Sequence, residues 1–553
     1  MTAPKIKIAI ALLVLLLAAC HKKQERQQED LRPNIVLIMS DDMGYSDIAP
    51  YGGEIDTPNL QWLADNGVRF TQFYNTARCC PTRASLMTGC YPYQAGIGLM
   101  TQAPGAPEAS DLGVPEYRGV LGKNVVTIAE VLKSADYRTI MTGKWHLGIS
   151  EKEYWPKQRG FDEFYGLVPG AANYFKPEYP RGITEGNDTI SITDESFYTT
   201  DAFTDKAIEY INQDNTSPFF LYMAYNAPHW PIQAPKEDIE KYRGKYLTGW
   251  DELRKKRYQR MMEMGLIDKT WKLSKEDNVP WDSLSVEKQI EMDYRMAIYA
   301  AMIDRMDQNI GKLLDSLKSN QMLNNTIIMF MNDNGACAEG GMLGWGKEEQ
   351  LGTKEGYYLS YGRAWANASN TPFRNYKHWV HEGGIATPLI VYWPKGLDKN
   401  QQGKVIDQYG FAPDIMATCL DLAGAEYPKE FKGNTIEPMV GKSILPALAI
   451  ESSPIHDEPI FWEHHGNKAV RLGNYKLVLD RATKDQQPWE LYDLATDRTE
   501  TDNLIVEEGD VANEMIDLYN NWTKEMGVLD WPEVQKLIRQ KREELKNRDS
   551  NKS

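Results

Sequence analysis

Five runs of strand length are apolar on both faces, with helical patterning between them: Asn34 to Ser40 (NIVLIMS), Arg138 to Thr142 (RTIMT), Phe219 to Tyr225 (FFLYMAY), Thr326 to Met331 (TIIMFM) and Pro388 to Trp393 (PLIVYW). A strand with no alternating polar face suits the interior of a sheet covered by helices on both sides. Asp56-Thr57-Pro58-Asn59-Leu60 opens one helix, with Pro58 suited to its first turn, Leu60, Leu63 and Ala64 on one stripe and Gly67 as its stop. A later helix carries Ile303, Met306, Ile310, Leu313, Leu314 and Leu317 on one face. The expectation is an α/β fold, a large, mostly parallel sheet flanked by helices, spanning 33–452. Beyond it, short β-type pieces (Pro459 to Trp462, Ala469 to Leu472, Tyr475 to Leu479, Glu490 to Leu494) and a helix near Val511 to Met526 predict a smaller C-terminal α+β domain over 453–530. Residues 531–553 read as a solvated helical tail. A chain of 553 residues exceeds what one core usually organises, which agrees with two domains.

The polar residues that follow the apolar runs are the second constraint. In open α/β sheets, ligands bind beyond the carboxyl ends of the strands. NIVLIMS is followed by Asp41-Asp42, RTIMT by Gly143-Lys144-Trp145-His146, FFLYMAY by Asn226-Ala227-Pro228-His229, and TIIMFM by Asn332-Asp333-Asn334. Any one of these alone reads better as a cap or a turn; four together point to one site. Asp41, Asp42, Asp333 and Asn334 offer only oxygen donors, which suits a hard cation, Ca²⁺ or Mg²⁺, over zinc or copper. Two more oxygens, from a nucleophile and a substrate, would reach the roughly six that Ca²⁺ requires at minimum. The chain has 62 Lys+Arg against 78 Asp+Glu, a net charge of −16. Such a surface repels nucleic acid, so no nucleic-acid partner is expected, and an anionic substrate must be drawn in by local cations or a metal.

The N-terminus reads MTAPKIKIAIALLVLLLAAC. Its apolar run from Ile8 to Ala19 would span about 18 Å as a helix against a ~30 Å hydrocarbon core, too short for a comfortable span. A basic start, a short apolar stretch and small residues before a Cys form a secretory signal over 1–19, and Leu17-Ala18-Ala19-Cys20 resembles the lipobox of bacterial lipoproteins. That resemblance implies lipidation of Cys20, a polar tether over 20–32, and an exported bacterial protein, periplasmic or on the cell surface, attached to the membrane through its lipid alone. An ordinary cleaved signal is the alternative, and it too means export. The other cysteines (Cys79, Cys80, Cys90, Cys337 and Cys419) form no CxxC pair and indicate neither a disulfide framework nor a zinc site.

The most specific segment is Cys79-Cys80-Pro81-Thr82-Arg83-Ala84-Ser85-Leu86-Met87-Thr88-Gly89. It resembles the signature of type I sulfatases, CxPxR followed by a helix and a TG pair, in which the first Cys is oxidised to formylglycine during export by a dedicated maturation enzyme. The spacing selects Cys79, because counting from Cys80 puts Thr82 at the Pro position and Ala84 at the Arg position. The resemblance continues through DDMGYSD, TPNL, GKWHLG, the APH turn, NDNG and Lys377 within NTPFRNYKHWVHEGGIATP, and is nearest to bacterial arylsulfatases. It implies the fold shared by alkaline phosphatase and the sulfatases. It also implies hydrolysis of sulfate monoesters, aryl or carbohydrate, through a formylglycine hydrate that attacks sulfur and leaves a sulfated enzyme. By the same resemblance one Ca²⁺ is held by Asp41, Asp42, residue 79, Asp333 and Asn334; Arg83 and Lys144 stabilise the hydrate; His146 is the base of the elimination step; and His229 and Lys377 bind the sulfate and protonate the leaving oxygen. The partners implied are a sulfated small molecule or glycan and the formylglycine-generating enzyme.

The residues leave rivals standing. Pro81 favours a first helical turn, so position 79 is expected just before a helix N-terminus, where anionic chemistry is favoured. An unmodified thiol there is an activated nucleophile, the mark of a Cys/His hydrolase, although it is a poor ligand for a hard cation. Phosphate or phosphonate ester hydrolysis would keep the fold and the metal. A glycan-binding lipoprotein with a decayed site would lack a ligand or a motif residue, and none is missing. His378 and His381 read as structural or as supports behind the site's direct contacts, Glu463-His464-His465-Gly466 as an exposed turn or an entrance lining, and residues 236–288, rich in charge and Trp, as an insertion near the mouth or a plain helical connection.

Overall fold

The computed structural model describes residues 32–101, 106–214, 217–449, 453–483 and 488–550. The expected signal segment, Cys20 and all of the tether except Arg32 lie outside the described residues. Ten strands form one sheet: β1 (Asn34–Ser40), β2 (Val68–Tyr74), β3 (Arg138–Lys144), β4 (Glu163–Leu167), β5 (Ile183–Glu185), β6 (Asp188–Ile190), β7 (Phe219–Ala224), β8 (Thr326–Asn332), β9 (Ala386–Tyr392) and β10 (Lys404–Phe411). Their order is β10-β2-β9-β8-β1-β7-β3-β4-β5-β6. From β8 to β4 the neighbours are parallel; β9 runs antiparallel between β2 and β8, and β5 and β6 close the far edge in antiparallel pairs.

The five apolar runs are β1, β3, β7, β8 and β9, and every residue of β1, β7, β8 and β9 is buried. Alternate side chains feed two cores. Val36, Ile38, Leu221, Met223, Ile328 and Phe330 join the core that includes the helix Val286–Ser319, while Ile35, Leu37, Met39, Phe220, Ile327 and Met329 join the core that includes the helices Cys79–Thr88 and Asp414–Ala423. This two-sided covering is why the runs lack a polar face.

After a small ribbon, β11 (Glu430–Phe431) with β12 (Asn434–Thr435), comes a four-stranded antiparallel sheet in sequential order, β13 (Ile460–His464), β14 (Asn467–Leu472), β15 (Tyr475–Leu479) and β16 (Trp489–Asp493). The helix Gly509–Glu525 buries Ala512, Met515, Tyr519 and Trp522. This unit packs on the large sheet: Trp462 Nε1 donates to the Asn75 carbonyl at 2.8 Å, with its ring 5.4 Å from that of Tyr74. The tail forms a helix, Trp531–Ser550, whose Val534 is buried and whose Leu537 and Ile538 pack on the core. Residues 236–288 serve packing, as Trp250 and Trp281 meet Trp365 with ring centroids 5.2 and 5.8 Å away.

Candidate active site

The strands β8, β1, β7 and β3 are neighbours pointing the same way, so the residues after them meet at one edge of the sheet. Asp41 and Asp42 follow β1, Asp333 and Asn334 follow β8, His229 lies in the turn after β7, and Lys144 ends β3 with His146 two residues on. Ser40 and Asn332 are paired in register, and Ser40 Oγ donates to Asn332 Oδ1 at 2.5 Å, tying the ends of β1 and β8 together. Asp42 (φ 65°) and His146 (φ 60°) occupy left-handed backbone, a cost tolerated where the surroundings hold it.

Cys79 comes from the other direction, as the first residue of the helix Cys79–Thr88 rather than the residue before it; extended Arg78 is the cap and Pro81 lies in the first turn. Arg83 Nη2 is 2.7 Å from Asp333 Oδ2 and 3.7 Å from Asp41 Oδ2, and its Nη1 donates to the Lys144 carbonyl at 3.0 Å. Lys144 Nζ donates to Asp41 Oδ2 at 2.5 Å, and Lys377 Nζ lies 2.7 Å from Asp42 Oδ1. Asn334 Nδ2 donates to the same Asp42 Oδ1 at 2.7 Å. His146 Nδ1 is 3.5 Å from Cys79 Sγ, and His229 Nε2 is 3.4 Å from Asp42 Oδ2. Every residue expected to hold the metal or act in catalysis is therefore in this one cluster, and all are buried.

Burial and the neighbouring Asp333 push the Asp41 carboxyl well above its ordinary range. Burial acts on Asp42 in the same sense, but His229 and Lys377 outweigh it and hold that group low. A hydrogen bond with Cys80, with Lys144 and His146 nearby, holds the Cys79 thiol well below its usual range despite burial, while burial pushes Cys80 up. Burial lowers His146 to about 4 and His229 to about 3, so both rings favour the neutral form.

The donor set fits a hard divalent cation. Asp41 Oδ1 and Asn334 Oδ1 are buried acceptors with no hydrogen-bond partner, a costly arrangement that a bound cation would relieve. Asp41, Asp42 and His229 offer donor atoms within 4.8 Å of one another. Asp41, Asp42 and Asp333 are matched by Arg83, Lys144 and Lys377, so a divalent ion would leave an excess of positive charge for an anion.

The family described as Sulfatase matches residues 33–425. The chain belongs to the sulfatase family. A second family, N-sulphoglucosamine sulphohydrolase, C-terminal, matches residues 374–527. The chain is 35% identical over 541 residues to an uncharacterized sulfatase of Schizosaccharomyces pombe, covering 92% of this chain and 96% of that one. It is 35% identical over 458 residues to the arylsulfatase of Klebsiella aerogenes, covering 79% and 95%. The solved structure of Ps i-CgsB superposes with a TM-score of 0.65 at 26% identity, over 89% of this chain and 93% of that one. This sulfatase is a sulfuric ester hydrolase, and its large sheet is the alkaline-phosphatase-like sheet of its structural neighbours.

Above the cluster of this sulfatase opens a pocket of about 160 Å³, lined by His146 and His229 and also by Arg78, Arg181, Trp230 and Glu339, which sequence reasoning missed. Arg78 Nη1 is 3.1 Å from Glu339 Oε1 and contacts the ring of His378. Its place just ahead of the cysteine motif was the one available signal; Arg181 and Glu339 sit on loops that the fold alone brings near. His378, His464 and His465 cluster beside Arg78, with ring nitrogens within 4.8 Å of one another, and His381 is buried 3.4 Å from Glu490 Oε2. None of the pocket lining comes from residues 236–288.

Proposed function

We propose that this sulfatase hydrolyses sulfate monoesters of aryl or carbohydrate alcohols, with residue 79 in its formylglycine form as nucleophile and one Ca²⁺ held by Asp41, Asp42, Asp333, Asn334 and residue 79. The observation that carries the reading is the pair of buried, unpartnered oxygens, Asp41 Oδ1 and Asn334 Oδ1, in the same cluster as the first residue of the CxPxR helix. The Cys79 sulfur stands where an oxygen of formylglycine would be. When bound, the cation supplies Lewis-acid polarisation, and a hydrated formylglycine supplies an oxygen nucleophile.

The chain's own groups do the rest. Arg83 and Lys144 orient Asp333 and Asp41 and add positive charge beside the reacting oxygens. His146, neutral because it is buried, has Nδ1 3.5 Å from the residue 79 side chain and is placed to accept its proton. His229 Nδ1 faces the Trp230 carbonyl at 2.6 Å and its Nε2 faces Asp42, an arrangement that suits a ring protonated on both nitrogens. Burial opposes that form, and an anionic ester in the pocket favours it, which poises His229, with Lys377, to protonate the leaving oxygen.

The similarity to an arylsulfatase supports aryl esters, and Ps i-CgsB, solved in complex with k-i-k-neocarrahexaose, supports carbohydrate esters. The proposal includes export by the 1–19 signal, attachment through lipidated Cys20 to a periplasmic or cell-surface membrane face, and a catalytic domain over 33–452 with a C-terminal domain over 453–530. Full burial of Cys79 means that a maturation enzyme would act before folding closes over it. Phosphate or phosphonate hydrolysis is the rival within the fold. Comparing kcat/KM on 4-nitrophenyl sulfate and 4-nitrophenyl phosphate separates them: a sulfate preference of about a hundredfold or more is expected, and a phosphate preference overturns the reading.

A further inference from the structure

Next to the pocket lies a patch of aromatic rings that the hydrolysis of a sulfate ester does not require. Trp230 lines the pocket, and its ring centroid is 6.0 Å from that of Trp345 and 5.7 Å from that of Tyr358. Trp345 and Tyr358 are 41% and 61% exposed, so these large rings stand in water beside the entrance. The backbone of Trp345 is nonetheless firmly held. Buried Arg295 donates to the carbonyls of Trp345 and Ser360 at 2.6 Å and to that of Gly346 at 3.0 Å, and Ser360 Oγ accepts from the Trp345 amide at 2.9 Å. Gly344 (φ +88°) and Gly346 (φ +93°) flank Trp345 in left-handed backbone, so the loop turns sharply on both sides of it. Rings left outside on a pinned backbone form a surface prepared for a ligand, with little ordering cost on binding.

Resting on the reading above, we infer that Trp230, Trp345 and Tyr358 are a stacking wall for the sugar unit next to the sulfated one, which makes the substrate a sulfated oligosaccharide or polysaccharide. A pocket of about 160 Å³ is well below the roughly 300 Å³ needed to enclose a drug-sized molecule, so only the sulfate and its immediate carrier fit inside. A chain that continues past Trp230 meets the wall. A pyranose matches the wall because its C–H face packs on aromatic rings while its hydroxyls reach a polar edge. That edge is present: Trp230 Nε1 donates to Glu339 Oε2 at 2.8 Å, Glu339 pairs with Arg78, and Arg181 lines the same pocket. A simple aryl sulfate would leave the wall unused.

The test uses the full chain with Cys79→Ala, so that ligand persists, and calorimetric titration with defined sulfated tetrasaccharides of galactan and hexosamine backbones, the matching sulfated monosaccharides and a sulfotyrosyl peptide. A tetrasaccharide is expected to bind at least tenfold tighter than its monosaccharide, with that gain lost on adding Trp345→Ala and Tyr358→Ala and kept on adding Trp345→Phe and Tyr358→Phe. Equal affinity for the two sugar lengths, a gain that survives the alanine pair, or a wall-dependent gain seen with the peptide instead of sugar overturns the inference. Turnover of 4-nitrophenyl sulfate by the unsubstituted chain tests the parent reading separately, because it needs no second sugar.

Discussion

Two buried ionic networks in this protein are built from the same kinds of side chain and do opposite work. One joins the C-terminal sheet to the large sheet. There Glu382 Oε1 takes Lys476 at 2.8 Å, Glu382 Oε2 takes Arg498 at 2.7 Å, Lys476 also meets Glu500 at 2.9 Å, and Tyr74 donates to Glu382 at 3.0 Å while accepting from Arg471 at 2.6 Å. Arg498 lies over the Phe373 ring at 4.7 Å, and its Nη2 is buried without a hydrogen-bond partner. The other network is the strand-end cluster, where Asp41 Oδ1 and Asn334 Oδ1 accept from no group. Cations hold Glu382 down at about 2 against its burial, led by Lys476 and then Arg498, whereas burial wins at Asp41 and pushes it up. In the joint each carboxylate oxygen named meets a cation and the group left over is a donor, Arg498 Nη2; at the strand ends the groups left over are two acceptor oxygens, which suit a cation.

The largest break in that contrast is expected at the nucleophile. Cys79→Ala should reduce turnover of 4-nitrophenyl sulfate by about ten-thousandfold or more while circular dichroism stays native, since only the strand-end network loses its chemistry. Lys476→Met strikes the joint between the sheets and should do the reverse. Leaving Glu382 and Glu500 short of a cation should cost about 3–5 kcal/mol in urea unfolding, with kcat of the folded fraction close to that of the unsubstituted chain. A large kcat loss at unchanged stability would erase the distinction between the two regions.

The pH response sharpens the same comparison with a smaller effect. Glu382 is depressed, so the stability it contributes is present above about 4.5 and is lost as pH falls toward about 2. Asp41 is raised, so with chelator present its contribution is full below about 3.8 and is lost as pH climbs above that value. Asp41→Asn should therefore flatten the chelator-treated stability profile on the rising-pH side and leave the acid limb intact. It should also weaken calcium affinity by roughly ten- to a hundredfold, seen by calorimetry. An unchanged profile together with unchanged calcium affinity would remove Asp41 from the site.

Much of this was readable from the chain because the physics was local. β1, β3, β7, β8 and β9 announced themselves as runs apolar on both faces, and the residues after four of them converge because those strands are parallel neighbours. β2 and β10 escaped notice: VRFTQFY carries Arg69, Thr71 and Gln72 among its apolar residues, and β10 is a partly exposed edge strand. The antiparallel direction of β9 depends on its partners and has no trace in its own composition. Within the site, the strand-end residues were legible from their positions after the runs. Glu339, Arg181 and the exposed rings of Trp345 and Tyr358 were not, because long-range contacts such as those from Arg295 to the 345–360 loop set their places. The small C-terminal sheet was visible as short β-type pieces, but its ionic joint through Glu382 joins residues more than ninety positions apart.

The proposed chemistry depends on the side chain at position 79. Peptide mass spectrometry of exported, fully active protein reads it directly: an aldehyde or its hydrate is expected there, with sulfur gone, in a fraction that tracks specific activity. An intact thiol in fully active protein would contradict that chemistry and turn the site into a Cys79/His146 hydrolase.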